Sequence, residues 1–424
     1  MIEKRNTPTI TIVTDYFKSM AEAEAKTLGC ERLHILTIQH PIGGLDEVDL
    51  EEKGKELWAN FQMMTQNMLT PGNHLQTRPD ERPGELLELP DNLDYINKYY
   101  DDQNWADGFP IIPPTFERVK AMLNGEEPQS AAGYMAPGGG LVTAEKMAVN
   151  AVMAGCLPEY FPLIKAAVSA LLEEKFNLYG IQTTTHPCGP LLIVNGPLIK
   201  KLGLNFSTNC FGNGRHANAT IGRAIRLILV NLGGAVPGEL DMATMGQPGK
   251  YSACIAENEE NNPWNPLHIE RGFSTKSSTV TVMAAEAPRN INDHDSASPE
   301  DILRTIAGAM TVTGCNNYFH QGDIAVILSP EHATTITKEY RHKKDIKDRL
   351  FELCKISAKK LSYKRFKQVE QAKALAVNYD EQALIPICSA PEDINIIVAG
   401  GPGKHSMWVP TFGVTRSVTK VIEN

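Results

Sequence analysis

Three short segments near the N-terminus constrain the fold of this chain most strongly. Thr9–Val13 is a β-branched run, Phe17–Thr27 is rich in Ala, Glu and Lys, and Leu33–Ile38 is a second apolar run. Strand, helix and strand at this spacing read as a βαβ crossover, parallel and right-handed. The second strand runs into His40-Pro-Ile-Gly-Gly44, a sharp loop at a strand's carboxyl end, where open parallel sheets collect ligands. Asp46–Leu69 then has the pattern of a long amphipathic helix. The expected fold class is α/β, with this small βαβ unit over residues 1–70.

Residues 71–91 carry four prolines and no sustained period, so they read as a linker or a covering arm. A larger α/β body follows over residues 92–424. Within it Glu145–Cys156 is a helical stretch ending in Ala-Gly-Cys, followed by the strand Leu191–Val194 and Gly-Pro-Leu-Ile-Lys. Asp301–Cys315 is again a helical stretch, ending in Thr-Gly-Cys, followed by the strand Ile324–Leu328 and Ser-Pro-Glu-His. These units, near 140–205 and 298–340, suggest a pseudo-duplicated core; chance similarity between two buried helices is the alternative. Ser298-Pro-Glu-Asp301 is a helix start, with a capping hydroxyl, Pro in the first turn and acids at the positive end of the dipole.

The length of 424 residues allows two or three domains with real cores. The 41 basic and 50 acidic side chains leave a charge of −9, and no dense basic tract exists. Nucleic acid and membrane surfaces are therefore not expected partners. Apolar stretches such as Ala224–Leu232 are too short to span a bilayer, and the N-terminus does not read as a signal segment. The closest of the eight cysteines, Cys188 and Cys210, lie 22 positions apart, so no C-x-x-C motif is present. Free thiols in a reducing compartment follow, and a cytoplasmic location is expected.

The most unusual segment is Thr183–Thr220. His186 with Cys188, and Cys210 with His216, are thiol–imidazole pairs within one loop each. An imidazolium lowers a thiol pKa and makes a thiolate available. The same four residues can instead bind a soft transition metal, or be buried structural groups. Gly212 and Gly214 precede the helix Ile221–Leu232, whose N-terminus favours anions, and Arg215 and Arg223 can clamp a carboxylate or phosphate with Asn218 beside them.

A second cluster spans Gly249–Gly272. Tyr251–Ala256 reads as a strand, so Glu257 and Glu259 emerge at its end on one face. His268 and Glu270 alternate, which on a strand points both the same way. With Trp264 and Arg271 these residues suit acid–base work or metal ligation, an exposed acidic loop being the bland reading. Asn290–Ser296 is a polar loop that contacts a ligand through His294 or caps a helix. The strand Ile394–Ala399 leads into Gly400-Gly-Pro-Gly-Lys-His-Ser406, which fails as a P-loop. Val398 stands where the first glycine belongs and His405 where Ser or Thr should be. Lys404 and His405 remain candidates for holding an anion, and there is no nucleotide signature.

These phrases carry a family resemblance. Asp15–Gly29 and His40-Pro-Ile-Gly-Gly44 resemble the second half of the domain in UGSC-motif (seleno)proteins, U being selenocysteine. The body is similar to long members of that group through Asp107-Gly-Phe-Pro-Ile-Ile-Pro-Pro-Thr115, Ala217-Asn-Ala-Thr-Ile-Gly-Arg223 and Glu257-Asn-Glu-Glu260. His186-Pro through Asn195-Gly-Pro197 and Gly400–Ser406 extend the likeness. The UGSC domain resembles the selenoprotein component of glycine-type reductases, which implies reductive C–N cleavage by a selenol or thiol. No cysteine or selenocysteine motif lies ahead of Thr9, so the resemblance implies either a redox group on a partner subunit or a reaction that uses other groups and is not reductive.

Three functions compete. The leading one is an enzyme that acts on a small carboxylate-bearing molecule, breaking or forming a C–S, C–N or similar bond, as an oxidoreductase or lyase. Cys188 or Cys210 acts beside His186 or His216; Glu257, Glu259 or His268 moves protons; Arg215, Asn218, Arg223, Trp264, Arg271, Lys404 and His405 bind substrate. The second is a metal-dependent lyase or hydratase, with His186, His216, His268 and Glu257 around one transition metal. The third is a non-catalytic subunit of a reductase complex. A homo-oligomer is expected in each case.

Overall fold

The computed structural model describes residues 9–30, 33–67, 86–372 and 383–423. Most of the expected linker, residues 71–85, and the end of the long helix at 68–69 lie outside these residues. The N-terminal unit forms as its pattern requires: β1 (Ile10–Thr14), α1 (Lys18–Thr27) and β2 (His34–Ile38), with the strands parallel, then α2 (Glu47–Asn67). Among its described residues only Ala25, Leu36 and Ile38 are buried.

The body begins with α3 (Leu93–Asp102) and α4 (Phe116–Leu123), then the hairpin β3 (Ala131–Met135) and β4 (Gly140–Thr143). Its centre is two four-stranded sheets. The first contains β5 (Gly189–Asn195), β6 (Cys254–Ala256), β7 (Thr279–Ala285) and the C-terminal β14 (Val418–Val421), in the order β14-β7-β5-β6. The second contains β8 (Arg289–Asn292), β9 (Ile324–Leu328), β12 (Ile394–Val398) and β13 (His405–Val409), in the order β12-β9-β13-β8. A small antiparallel pair of β10 (Lys355–Ser357) and β11 (Leu384–Pro386) packs Ile356 and Ile385 into the same core as the second sheet. Each large sheet pairs two strands in parallel, β5 with β6 and β9 with β12, and adds an antiparallel strand on the other side.

Alternation along the strands explains the layering. Leu191 and Ile193 of β5 join Ala325, Ile327 and Ile397 in a core between the two sheets. Leu192 and Val194 face the other way, into a core with α5 (Ala144–Ala154), α6 (Phe161–Leu171) and α9 (His216–Asn231). Val326 and Ile396 likewise face α11 (Pro299–Met310), α12 (Pro330–Ile336) and α13 (Lys343–Leu353). The result is four layers, helices–sheet–sheet–helices. Both faces of each central strand are covered, which is why these strands read as unbroken apolar runs.

Local signals set the helix ends. Ser298 Oγ accepts from Asp301 N at 3.2 Å with Pro299 following, and Gly155 ends α5 in the left-handed conformation at φ +86°. Three expected elements differ. The strand over 251–256 is only Cys254–Ala256, because a 3-10 turn at Pro248–Lys250 occupies its approach. His268 and Glu270 lie on one helical turn, α10 (Leu267–Glu270), not on a strand. The expected loop at 290–296 begins as strand β8, recruited by pairing with β13. Among the described residues no helix is long and apolar enough to cross a membrane.

Candidate active site

The carboxyl ends of the two parallel pairs meet at one segment, residues 257–262. Glu257 N donates to Val194 O at 3.0 Å, continuing the first sheet, and Asn258 N donates to Val398 O at 2.7 Å, reaching the second. The Glu257 carboxylate is 1% exposed and sits where four donors converge. Asn195 Nδ2 at 2.7 Å, Asn262 Nδ2 at 2.8 Å, Leu267 N at 2.8 Å and Val398 N at 3.4 Å all point to it. Such a carboxylate is a structural keystone, because its lone pairs are already committed. Glu259 is held beside it by Asn195 Nδ2 at 2.9 Å and Gly196 N at 2.8 Å.

Other groups in this cluster are not committed. His268 is 2% exposed, and neither ring nitrogen has a hydrogen-bond partner; Nδ1 lies 3.6 Å from Glu259 Oε1. Burial holds the imidazole pKa below its ordinary value, against the opposing pull of Glu259 and Glu257. Lys343, the first residue of α13, is 6% exposed; its Nζ lies 3.7 Å from Glu257 Oε1 and 3.5 Å from Glu270 Oε2, with no hydrogen bond. Asn195 Oδ1 is also buried without a partner. A neutral polar group stranded in this way costs about 1–3 kcal/mol, so the His268 ring and Asn195 Oδ1, with Lys343 ion-paired but not hydrogen-bonded beside Glu257, mark a site rather than a core.

Lys343 also lines a cleft of about 670 Å³, bounded by Pro263, Trp264 and Asn265 on one side and Arg341, His342 and Lys344 on another. Trp264 Nε1 donates to Tyr340 O at 3.1 Å, which ties the 257–264 segment to the start of α13. The cleft is lined by Pro263 and Trp264, by the basic residues Arg341, His342, Lys343, Lys344 and Lys347, and by the carboxylates Glu270, Asp348 and Glu392. A second cleft, of about 460 Å³, lies at the Gly400–Gly401 loop between Asn258, Glu331 and Lys404.

Of the residues expected from sequence, Glu257, Glu259, His268 and Trp264 come together here. The others do not. Cys188 is fully buried and Cys210 nearly so, and burial pushes their thiols up to about 12 and about 11. The expected lowering by a neighbouring imidazole is absent, because His186 Nε2 pairs instead with Glu286 at 2.9 Å, and His216 lies exposed near Tyr160. His186, His216, His268 and Glu257 do not converge. Among the described residues no group of three or more His, Cys, Asp or Glu could hold a metal ion.

The expected anion clamp is also redirected. Arg223 makes two 2.8 Å bonds to Asp107 and two 3.0 Å bonds to the carbonyls of Phe109 and Pro110, locking the 107–110 loop onto α9. Arg215 is exposed at the start of α9. Asn218 is buried, bonded to the Asn205 backbone and to Cys254 O. Arg271 ties β14 to β12 through Thr419, Ser417 and Asn395. Lys404 bonds to the His294 carbonyl, and His405 stands between His294 and Asn290. Lys343 was not legible as a site residue, since Arg341-His-Lys-Lys344 reads as a solvated charge run at a helix start.

Residues 1–67 match the UGSC family, so the resemblance seen in the sequence holds over the N-terminal unit. No curated protein and no solved structure matches the chain.

Proposed function

We propose that the chain is an enzyme that moves a proton on a small carboxylate-bearing molecule, with His268 as the group that takes and returns it. The observation that carries this reading is the set of buried polar atoms without hydrogen-bond partners on His268, Lys343 and Asn195, of which Lys343 lines a cleft of mixed charge. Glu259 stands behind the His268 ring to stabilise the imidazolium that forms. Lys343 and the start of α13 favour the substrate's negative charge and the charge that develops in the transition state. Bond cleavage or addition next to the carboxylate follows from such proton transfer, which places the activity with lyases and related enzymes. The thiolate mechanism and the four-residue metal set have no support in the geometry.

The test is a panel of small mono- and dicarboxylates in D2O, followed by NMR for deuterium entering their C–H positions and by calorimetry for binding. His268→Gln should slow exchange by on the order of 100-fold while binding persists. Lys343→Gln should weaken binding. Exchange that continues unchanged in His268→Gln would sink the assignment.

The N-terminal unit favours a second reading, a subunit of a larger assembly. Its two strands bury little, and Ile12, Tyr16, Val48, Trp58 and Met63 are exposed. Sedimentation of the purified protein tests this reading, and a monomer at all concentrations would count against a homo-oligomer.

A further inference from the structure

We propose that Lys343 Nζ forms a Schiff base with the substrate, so that the carboxylate-bearing molecule is a small oxo acid with an aldehyde or ketone within reach of its carboxylate. The proposal rests on the reading above and names its substrate class.

Among the described residues Lys343 is the one lysine whose buried Nζ lacks a hydrogen-bond partner. Its neighbours on α13 are spent: Lys347 is paired with Glu270, and Lys344 with Asp348 at 2.5 Å. Lys250, also largely buried, donates to Asp241 at 2.5 Å. Lys343 is instead flanked by Glu257 and Glu270 at 3.7 and 3.5 Å, beyond hydrogen-bond contact. The amine is held in place without being consumed, and it borders a cleft roomy enough for a molecule of several carbons.

The chemistry balances within these residues. The ammonium and the carbonyl give a protonated imine and one water; a C=N bond replaces C=O, and nothing is oxidised or reduced. The amine proton passes to Glu270, whose Oε2 lies 3.5 Å from Nζ and which lines the same cleft, during addition and returns to the departing hydroxyl. The protonated imine carries the same single positive charge as the ammonium it replaces, so Glu257 and Glu270 balance both. The substrate carboxylate then falls at the rim formed by Arg341 and the first turn of α13. Electron withdrawal by the imine acidifies the C–H on the carbon beyond the imine, the proton that His268 is assigned to move.

The experiment uses the full chain with glyoxylate, pyruvate and 2-oxoglutarate in turn, reduction by borohydride, and mass spectrometry of the intact protein and its peptides. One saturable adduct per chain on the Lys343 peptide is expected, lost in Lys343→Arg and kept in the surface control Lys201→Gln. If Lys343→Arg does not fold, the peptide map of the wild-type adduct decides alone. Adducts spread over exposed lysines, or none from any of the three acids, overturn the proposal. If carboxylates still bind and exchange deuterium while nothing is trapped, only the Schiff base fails; if no carboxylate binds, the earlier reading fails with it.

Discussion

Asn195 Nδ2 donates to Glu257 Oε2 at 2.7 Å, and the same nitrogen donates to Glu259 Oε1 at 2.9 Å. One amide at the carboxyl end of β5 thus positions both carboxylates that follow β6. Glu257 carries the link onward to the second sheet through Val398 N. The seam between the sheets and the polar cluster around Glu257 are therefore the same set of residues.

Glu257→Gln turns one acceptor into a donor in a place where four donors converge. We expect a loss of about 3 kcal/mol, because buried donors are left facing an N–H group. Urea unfolding followed by circular dichroism measures it, and a midpoint equal to wild type contradicts the keystone role.

His268 gives a pH dependence with a definite sign. Its folded pKa lies below the ordinary 6.5, so the unfolded chain binds more protons on the acid side. The His268 contribution is intact above about pH 6.5 and is lost as pH falls through the folded pKa. Thermal melts of wild type and His268→Gln between pH 5 and 8 should diverge below that point; parallel curves argue that the imidazole is not buried neutral.

The Arg223–Asp107 pair is mostly sheltered and bidentate. Asp107→Asn leaves the guanidinium with half its partners, and we expect about 2 kcal/mol of destabilisation, with faster hydrogen exchange confined to the 107–113 loop. Exchange that rises equally across α9 and the sheets indicates a different cause.

Cys188 and Cys210 should resist alkylation. With thiols raised to about 12 and about 11, iodoacetamide at neutral pH should label each at least about 100-fold more slowly than a free cysteine. Rapid modification of either residue in the native protein, located by peptide mapping, restores the thiolate as a candidate.

Gly401→Ala tests the second cleft's wall. A Cβ there falls 2.1 Å from Thr208 Oγ1 and 3.0 Å from Thr208 Cα, so the 400–404 loop must part from the 205–208 segment. About 2 kcal/mol of destabilisation is expected from the melting temperature, whereas Gly403→Ala meets no atom but adopts a φ of +128° that suits glycine.

Much of this protein is determined by its sequence alone. The βαβ unit, the capped α11 and the apolar strands β5, β9 and β12 follow from period and end signals, which depend on neighbours a few residues away. The cluster of Glu257, Glu259, His268 and Trp264 was visible for a similar reason, since all four lie in one short stretch. Only the tertiary structure decided the rest. It placed Lys343 beside Glu257, drew His186 to Glu286 rather than to Cys188, and consumed Arg223 on Asp107. Whether a charged side chain is solvated, paired or stranded depends on which distant backbone and carboxylate the packed layers bring to it. Hydrophobic periodicity carries no record of that distance, and burial can reverse the direction in which a thiol or an imidazole titrates.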